Sequence, residues 1–275
     1  MKLTTSDIET LKQASLISPN LRIPKGSKRI LTISLMKCVM FEKQFSNVVS
    51  KTNDVLIYDL NEFLKLLKVL QDNSTHKDVE LDCDSKFIYL KSGQDEYKYK
   101  QSSKDRMSIP TKEVECETLN YKFHIDSQVI SLSKKFKNLF DFVEITRTSK
   151  DSKYSFNVTF KNVLDKDRVY NSFTKVITNT LTPLKYLPKH FKFVFRVHNL
   201  AMLDDSWWYD VKLSSQKLSQ FKNPSVNYFV AMEPTSEFEK PTQLINKKKV
   251  NQKKIISLSN NIAKLQKQLS VLRSA

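Results

Sequence analysis

Residues Val55–Leu70 read VLIYDLNEFLKLLKVL. VLIYDL is a short strand by composition, and it runs without a spacer into NEFLKLLKVL. Asp59 followed three residues later by Glu62 is a helix-start signal, because each side chain satisfies an amide that the first turn leaves unpaired. Leu60, Phe63, Leu64, Leu67 and Leu70 then recur at i, i+3, i+4, i+7 and mark one buried face. At 100° per residue Lys65 points away from that stripe and Lys68 flanks it.

Upstream, Arg29–Phe45 is dense in β-branched and large apolar residues and predicts two strands. Before it, Ser6 with Glu9 marks the start of another helix, carrying Ile8, Leu11 and Ala14 on one face and Lys12 to the side. Pro19, Pro24 and Gly26 interrupt the chain between them. Downstream, after a polar turn at 71–78, VELDC, KFIYLK and EYKYK predict three more strands joined by turn residues. Lys100–Thr118 has no period and contains Pro110, so it reads as a linker.

The second half repeats this order. Asp126 caps a helix whose expected buried stripe is Val129, Leu132, Phe136, Leu139 and Phe140. Lys134 lies opposite that stripe, with Lys135 and Lys137 on its flanks. Strands follow at 141–148, 154–161 and 167–177. FKFVFRV (191–197) then runs into a short helical turn around HNLAML, and WWYDVKL, KLSQFK and VNYFVAME close the half. A repeated order of elements predicts an α+β fold of two similar domains in tandem, residues 1–100 and 119–238, joined by a linker at 101–118.

Composition removes whole classes of function. The chain has 275 residues and only two glycines, Gly26 and Gly93. A phosphate-binding loop or dinucleotide fingerprint needs clustered glycines, so neither exists here. Cys38, Cys83 and Cys116 are widely spaced, and His76, His124, His190 and His198 do not pair at ligand spacing. No disulfide framework, metal or cofactor is expected, and reduced thiols favour a cytoplasmic setting. Asp82–Asp84 and Asp204–Asp205 read as turn residues rather than metal ligands. No nucleophile–base pair, signal peptide or membrane span stands out, and no catalytic residue is assigned.

The formal net charge is +17. Nine basic residues and no acidic one fall in Lys240–Ala275, which leaves +8 on residues 1–239. Such an excess points to a polyanion, nucleic acid before anionic membrane.

MKLTTSDIETLK at the start, VLIYDLNEFLKLL in the middle and FKFVFRVHNLAML…VNYFVAME near the end resemble, in order, the sliding clamp of T-even-like tailed bacteriophages. The pattern YDLN-x-F-L at Tyr58–Leu64 is the most specific piece, and the resemblance covers roughly residues 1–238. It implies two tandem DNA-clamp domains per subunit, helices on antiparallel sheets, and three subunits closed into a homotrimeric ring. Duplex DNA would pass through the hole, facing Lys12, Lys65, Lys68, Lys134, Lys135 and Lys137. Such a clamp performs no chemistry. It tethers the replicative DNA polymerase, is opened by an ATP-dependent clamp loader, and in some phages also supports late viral transcription in the infected host cell. The resemblance also implies an apolar pocket for partner peptides, with Ile109, Pro110, Ala231, Met232 and Pro234 at the matching positions. A basic nucleic-acid-binding accessory protein that forms no ring is the alternative reading.

Residues 239–275 lie beyond the resemblance. Lys240–Lys254 is a polar, lysine-rich linker. Ile255, Leu258, Ile262, Leu265, Leu269 and Leu272 follow at alternating spacings of three and four, an a/d pattern. This predicts a basic linker and an amphipathic helix that docks on the body or on an unknown partner. In a second reading the basic stretch adds nucleic-acid affinity.

Overall fold

The computed structural model describes residues 1–73, 79–110, 122–147, 155–164, 168–178, 191–214 and 217–238. The first half runs β1 (Lys2–Leu3), α1 (Thr5–Ile17), β2 (Leu21–Ile23), β3 (Arg29–Ile33), β4 (Val39–Gln44), β5 (Val55–Ile57), α2 (Leu60–Asn73), β6 (Val79–Cys83), β7 (Phe87–Ser92) and β8 (Asp95–Lys100). The second runs β9 (Lys122–Ile125), α3 (Ser127–Phe136), β10 (Phe142–Arg147), β11 (Ser155–Leu164), β12 (Arg168–Thr178), β13 (Phe191–Arg196), α4 (Val197–Ala201), β14 (Tyr209–Leu213), β15 (Leu218–Lys222) and β16 (Asn227–Ala231), followed by β17 (Glu237–Phe238). Up to β16 the two halves have the same order, βαββββαβββ.

The strand pairings repeat as well. In the first half β5-β2-β3-β4 and β1-β6-β7-β8 are ordered neighbours, and in the second half β13-β10-β11-β12 and β9-β14-β15-β16 are. One pairing joins the halves. β4 lies antiparallel to β16, with Val39 opposite Val230 and Phe41 opposite Tyr228, which makes a single eight-stranded sheet. The Phe41 and Tyr228 rings sit 5.4 Å apart, and both side chains are fully buried. The apolar core is accordingly continuous across this seam, from Leu3 to Met232.

Local sequence explains most elements. In β3 and β14 alternate residues are buried, as expected of strands with one face on the core. In α2, Leu60, Phe63, Leu67 and Leu70 are buried and Leu64 packs partly against them, while Glu62 N donates to the Asp59 carboxylate at 3.0 Å. Asp126 caps α3 by accepting from Gln128 N at 3.2 Å.

Three expectations need correction. The cap of α1 is Thr4 with Asp7, not Ser6 with Glu9: Thr4 Oγ1 accepts from Asp7 N at 3.1 Å and Asp7 accepts from Thr4 N at 2.9 Å. Both pairs have capping spacing, but Asp7 also accepts from Ser46 N at 2.8 Å and is buried, so tertiary contact decides the frame. Leu139 is not in the stripe of α3 but 62% exposed, because that helix ends at Phe136 and the 3.6-residue period stops there. Ile130 and Ser133 are buried in α3 beside Val129. Finally, β14 begins at Tyr209, so Trp207 and Trp208 lie in the preceding loop and are half-exposed. The expected linker is described only to Pro110, and all of 111–121 and 239–275 lie outside the described residues.

Candidate functional site

The helices pack in two pairs. α1 packs on β3 and β4 and against α2, and α3 packs against α4. The turn after α4 is joined to the first half by Gln13 of α1, which donates to Asp204 at 2.7 Å, and to its own half by Lys134 of α3, which donates to Asp205 at 2.5 Å. With the apolar stripes spent on the core, the polar faces of α1, α2 and α3 are left to water. Lys12, Lys65, Lys68, Lys135 and Lys137 are all exposed there.

These lysines differ in how free their charge is. Lys12 pairs with Glu9 at 2.7 Å, and Lys134 is engaged by Asp205, whose carboxyl is held below its usual value first by that hydrogen bond. Lys65, Lys68, Lys135 and Lys137 form no ion pair with a described residue. Ammonium groups on flexible stems attract phosphates without fixing a register or reading bases.

A second surface lies at one end of the eight-stranded sheet, where three segments meet. The first is the β3–β4 hairpin tip. Ser34 Oγ accepts from Cys38 N and Val39 N at 3.2 and 3.1 Å, and Lys37 takes a left-handed φ of 57°. This holds Leu35 and Met36 out at 65% and 82% exposure, Met36 being the most exposed large hydrophobic among the described residues. The second segment is the end of β16, where Ala231 N donates to Cys38 O at 2.8 Å. The third is the start of the linker. Buried Asn20 accepts from Ser108 N at 2.9 Å, accepts from Thr32 Oγ1 at 2.8 Å through its main-chain oxygen, and donates to Tyr58 O at 2.6 Å. Asn20 thereby pins Ile109 and Pro110, both half-buried, beside the end of β3 from which the hairpin tip springs.

Of the expected pocket residues, Ala231 is bonded to the β4 side of the hairpin, and Ile109 and Pro110 directly follow Ser108, which is bonded to Asn20. Met232 is 6% exposed and part of the core, and Pro234 is exposed on the turn toward β13. Leu35, Met36 and Asn20 were not anticipated. The signal for Leu35 and Met36 is hidden in an apolar run that reads as two strands with no turn residues marked between them, while Asn20 gives no pattern at all.

The remaining polar clusters are structural. Asp84 accepts from Lys86 N, Phe87 N and Tyr89 Oη at 2.6–2.7 Å, as a turn residue does. No group of three or more His, Cys, Asp or Glu residues able to hold a metal occurs among the described residues. A depression of about 190 Å³ on the five-stranded sheet is lined by Glu144, Lys161, Lys192 and Glu233, but Lys161 pairs with Glu144 at 2.6 Å and Arg196 with Glu233 at 3.1 Å. No described helix is long and apolar enough to cross a membrane.

No family model matches the sequence, and no curated protein does. Solved structures do match in fold. A. fulgidus PCNA, bound to the C-terminal region of FEN-1, is 16% identical with a TM-score of 0.57, over 86% of this chain and 98% of that one. The proliferating cellular nuclear antigen of Entamoeba histolytica gives 13%, 0.52, 82% and 94%. The DNA polymerase III β subunit of Thermotoga maritima gives 10% and 0.59 over 86% of this chain, which spans only 65% of that longer one. The architecture, helices layered on antiparallel sheets, is that of the sliding clamps.

Proposed function

We propose that this chain is a sliding clamp: a non-catalytic subunit that closes head to tail into a ring around duplex DNA and tethers a replicative polymerase. One observation carries the reading. Within the chain, β4 of the first half pairs with β16 of the second. By the repeat, β12 is the counterpart of β4 and β8 the counterpart of β16, and both are edges among the described strands. An edge strand is a template for pairing with another chain. Repeating the internal β4–β16 operation between copies joins β12 of one subunit to β8 of the next, a heterologous contact that generates a closed ring if the rotation closes.

Exposed side chains favour the same junction. Val169, Phe173 and Val176 on β12 are 40–54% exposed, and Tyr97 on β8 is 39% exposed. The helices would then line the hole, with Lys65, Lys68, Lys135 and Lys137 presenting mobile charge to phosphates and Lys12 and Lys134 contributing less. Three subunits, as in the phage clamps that the sequence resembles, and an ATP-dependent loader complete the reading. Polymerase and other partners would dock through peptides on the surface of Leu35, Met36, Ile109, Pro110 and Ala231, which we read as a groove.

Sedimentation equilibrium tests this directly. A mass near three times 32.1 kDa is expected, with retention on circular but not linear duplex in the presence of a loader. A monomer at every concentration up to the high micromolar range sinks the ring.

A further inference from the structure

We propose that the chain's own C-terminal segment, Ile255–Leu272, occupies the groove at Leu35 and Met36 in cis, so that an incoming partner peptide must displace it. The proposal rests on reading that groove as a peptide seat. It names an occupant that the seat carries in the absence of partners.

The first argument is where the described chain ends. Ala231 is hydrogen-bonded to the hairpin beside Leu35 and Met36. The chain then crosses to β13, where Glu233 N donates to Val194 O at 2.8 Å, Ser236 accepts from Val194 N at 2.9 Å and Glu237 lies opposite Lys192 in β17. Seven residue steps separate Ala231 from Phe238, so the exit lies within about 25 Å of the groove. Residues 239–254 are polar and lysine-rich, and a coil of that length has a root-mean-square span of about 20–24 Å. The tether therefore matches the gap.

The second argument is chemical fit. Ile255, Leu258, Ile262, Leu265, Leu269 and Leu272 would form one apolar stripe in a helix, and an isolated helix of this length is marginal in water unless that stripe is covered. Leu35 and Met36 are 65% and 82% exposed, with no described residue covering them. Laying an amphipathic helix on such a surface is a recurrent mode of peptide recognition. Because a short linker supplies an effective concentration of about 1 mM, a docking constant of only about 100 μM leaves the groove about nine-tenths filled. Weak docking is what displacement requires: a competing peptide loses about tenfold in apparent affinity to a cis occupant of that strength.

The test uses a fluorescent synthetic peptide covering 253–275, read by anisotropy. Every member of the core cluster lies between Leu3 and Met232, so a chain ending at Phe238 keeps its whole described core. That truncated chain should bind the peptide, and the full chain should bind it about tenfold more weakly. Met36→Glu, at an exposed position, should abolish binding to the truncated chain, and Leu265→Asp with Leu269→Asp in the full chain should restore access for the probe. Trypsin cleavage after Lys253 and Lys254 in the full-length Met36→Glu protein should accelerate, an independent reading that needs no truncation. Equal binding to both chains, indifference to Met36→Glu, loss through Trp207→Ala instead, or a peptide that only self-associates would each overturn the proposal. Oligomer mass is measured on the same samples, so failure of the ring and failure of the cis occupant show separately.

Discussion

β4 and β12 hold the same place in the two halves, yet one is sealed and the other open. On β4, Val39, Met40 and Phe41 are at most 3% exposed because β16 covers that edge. On β12, Val169 and Val176 are 50% and 54% exposed with no described strand beyond them. Strand order and neighbours within the half do not account for the difference, since they are the same. What differs is the presence of a counterpart to β16. In the proposed ring, the apolar side chains at this unpaired position are where the repeat would continue in another molecule.

The comparison breaks first at the closed seam. Phe41→Ala removes a fully buried ring packed on Tyr228, and should cost about 3–5 kcal/mol of folding stability in urea denaturation. At the open edge the loss should appear in assembly instead. Val169→Asp with Val176→Asp places two charges where a neighbouring strand would lie, and should weaken subunit association by a factor of about 30–1,000 while shifting the unfolding midpoint little. If the second pair unfolds the monomer as Phe41→Ala does, β12 is an internal strand covered by something within its own chain, and the repeat argument fails.

The helices offer a finer contrast between free and engaged lysines. Lys135→Ala with Lys137→Ala removes two exposed charges from α3 and should flatten the slope of log K against log salt for duplex binding by about 1.8. Lys12→Ala should change that slope by well under half of the single-site value of about 0.9, since Glu9 already neutralises this ammonium. Equal effects would mean that the Glu9 pairing yields to phosphate and that α1 lines the binding surface as fully as α3.

Much of this was legible in the sequence wherever a period ran long enough to be read. The stripe of α2 and the strand-rich runs at β6, β7 and β10–β16 carry the repeated order of elements, and with it the expectation of a tandem architecture. Short elements were not readable: β1, β2, β9 and β17 have two to four residues and no period, and form because a neighbour offers a ladder. Leu139 was misplaced because a stripe says nothing about where its helix stops. Leu35 and Met36 are apolar within an apolar run, and only the fold of the Ser34–Val39 tip turns them outward. Composition could not separate the lysines either, because the partners Glu9 and Asp205 lie three and seventy-one positions away.

The segments that leave β8 and β16 differ in how they are held, and acidity separates them. After β16, Arg196 and Glu233 pair on a half-exposed surface, and Ser236 is bonded to neutral main chain. After β8, Asp54 gathers the linker root, reached by Lys104 at 2.8 Å, Arg22 at 3.0 Å and Lys25 N at 2.9 Å. Burial by itself would raise the Asp54 carboxyl, but the Lys104 hydrogen bond, the Lys25 amide and Arg22 together bring it down to about 2. A depressed carboxylate contributes stability above its unfolded value, about 3.9, and loses it as pH falls through the folded one. The full shift corresponds to about 2.5 kcal/mol, which screening around the half-exposed Lys104 reduces to about 1 kcal/mol. Asp54→Asn should therefore be about 1 kcal/mol less stable than the parent at pH 7, with the gap closing between about pH 4 and pH 2. A gap that persists unchanged at pH 2 would assign the effect to packing at β5, and the ionic anchor of the linker would be lost as an explanation for its position beside the groove.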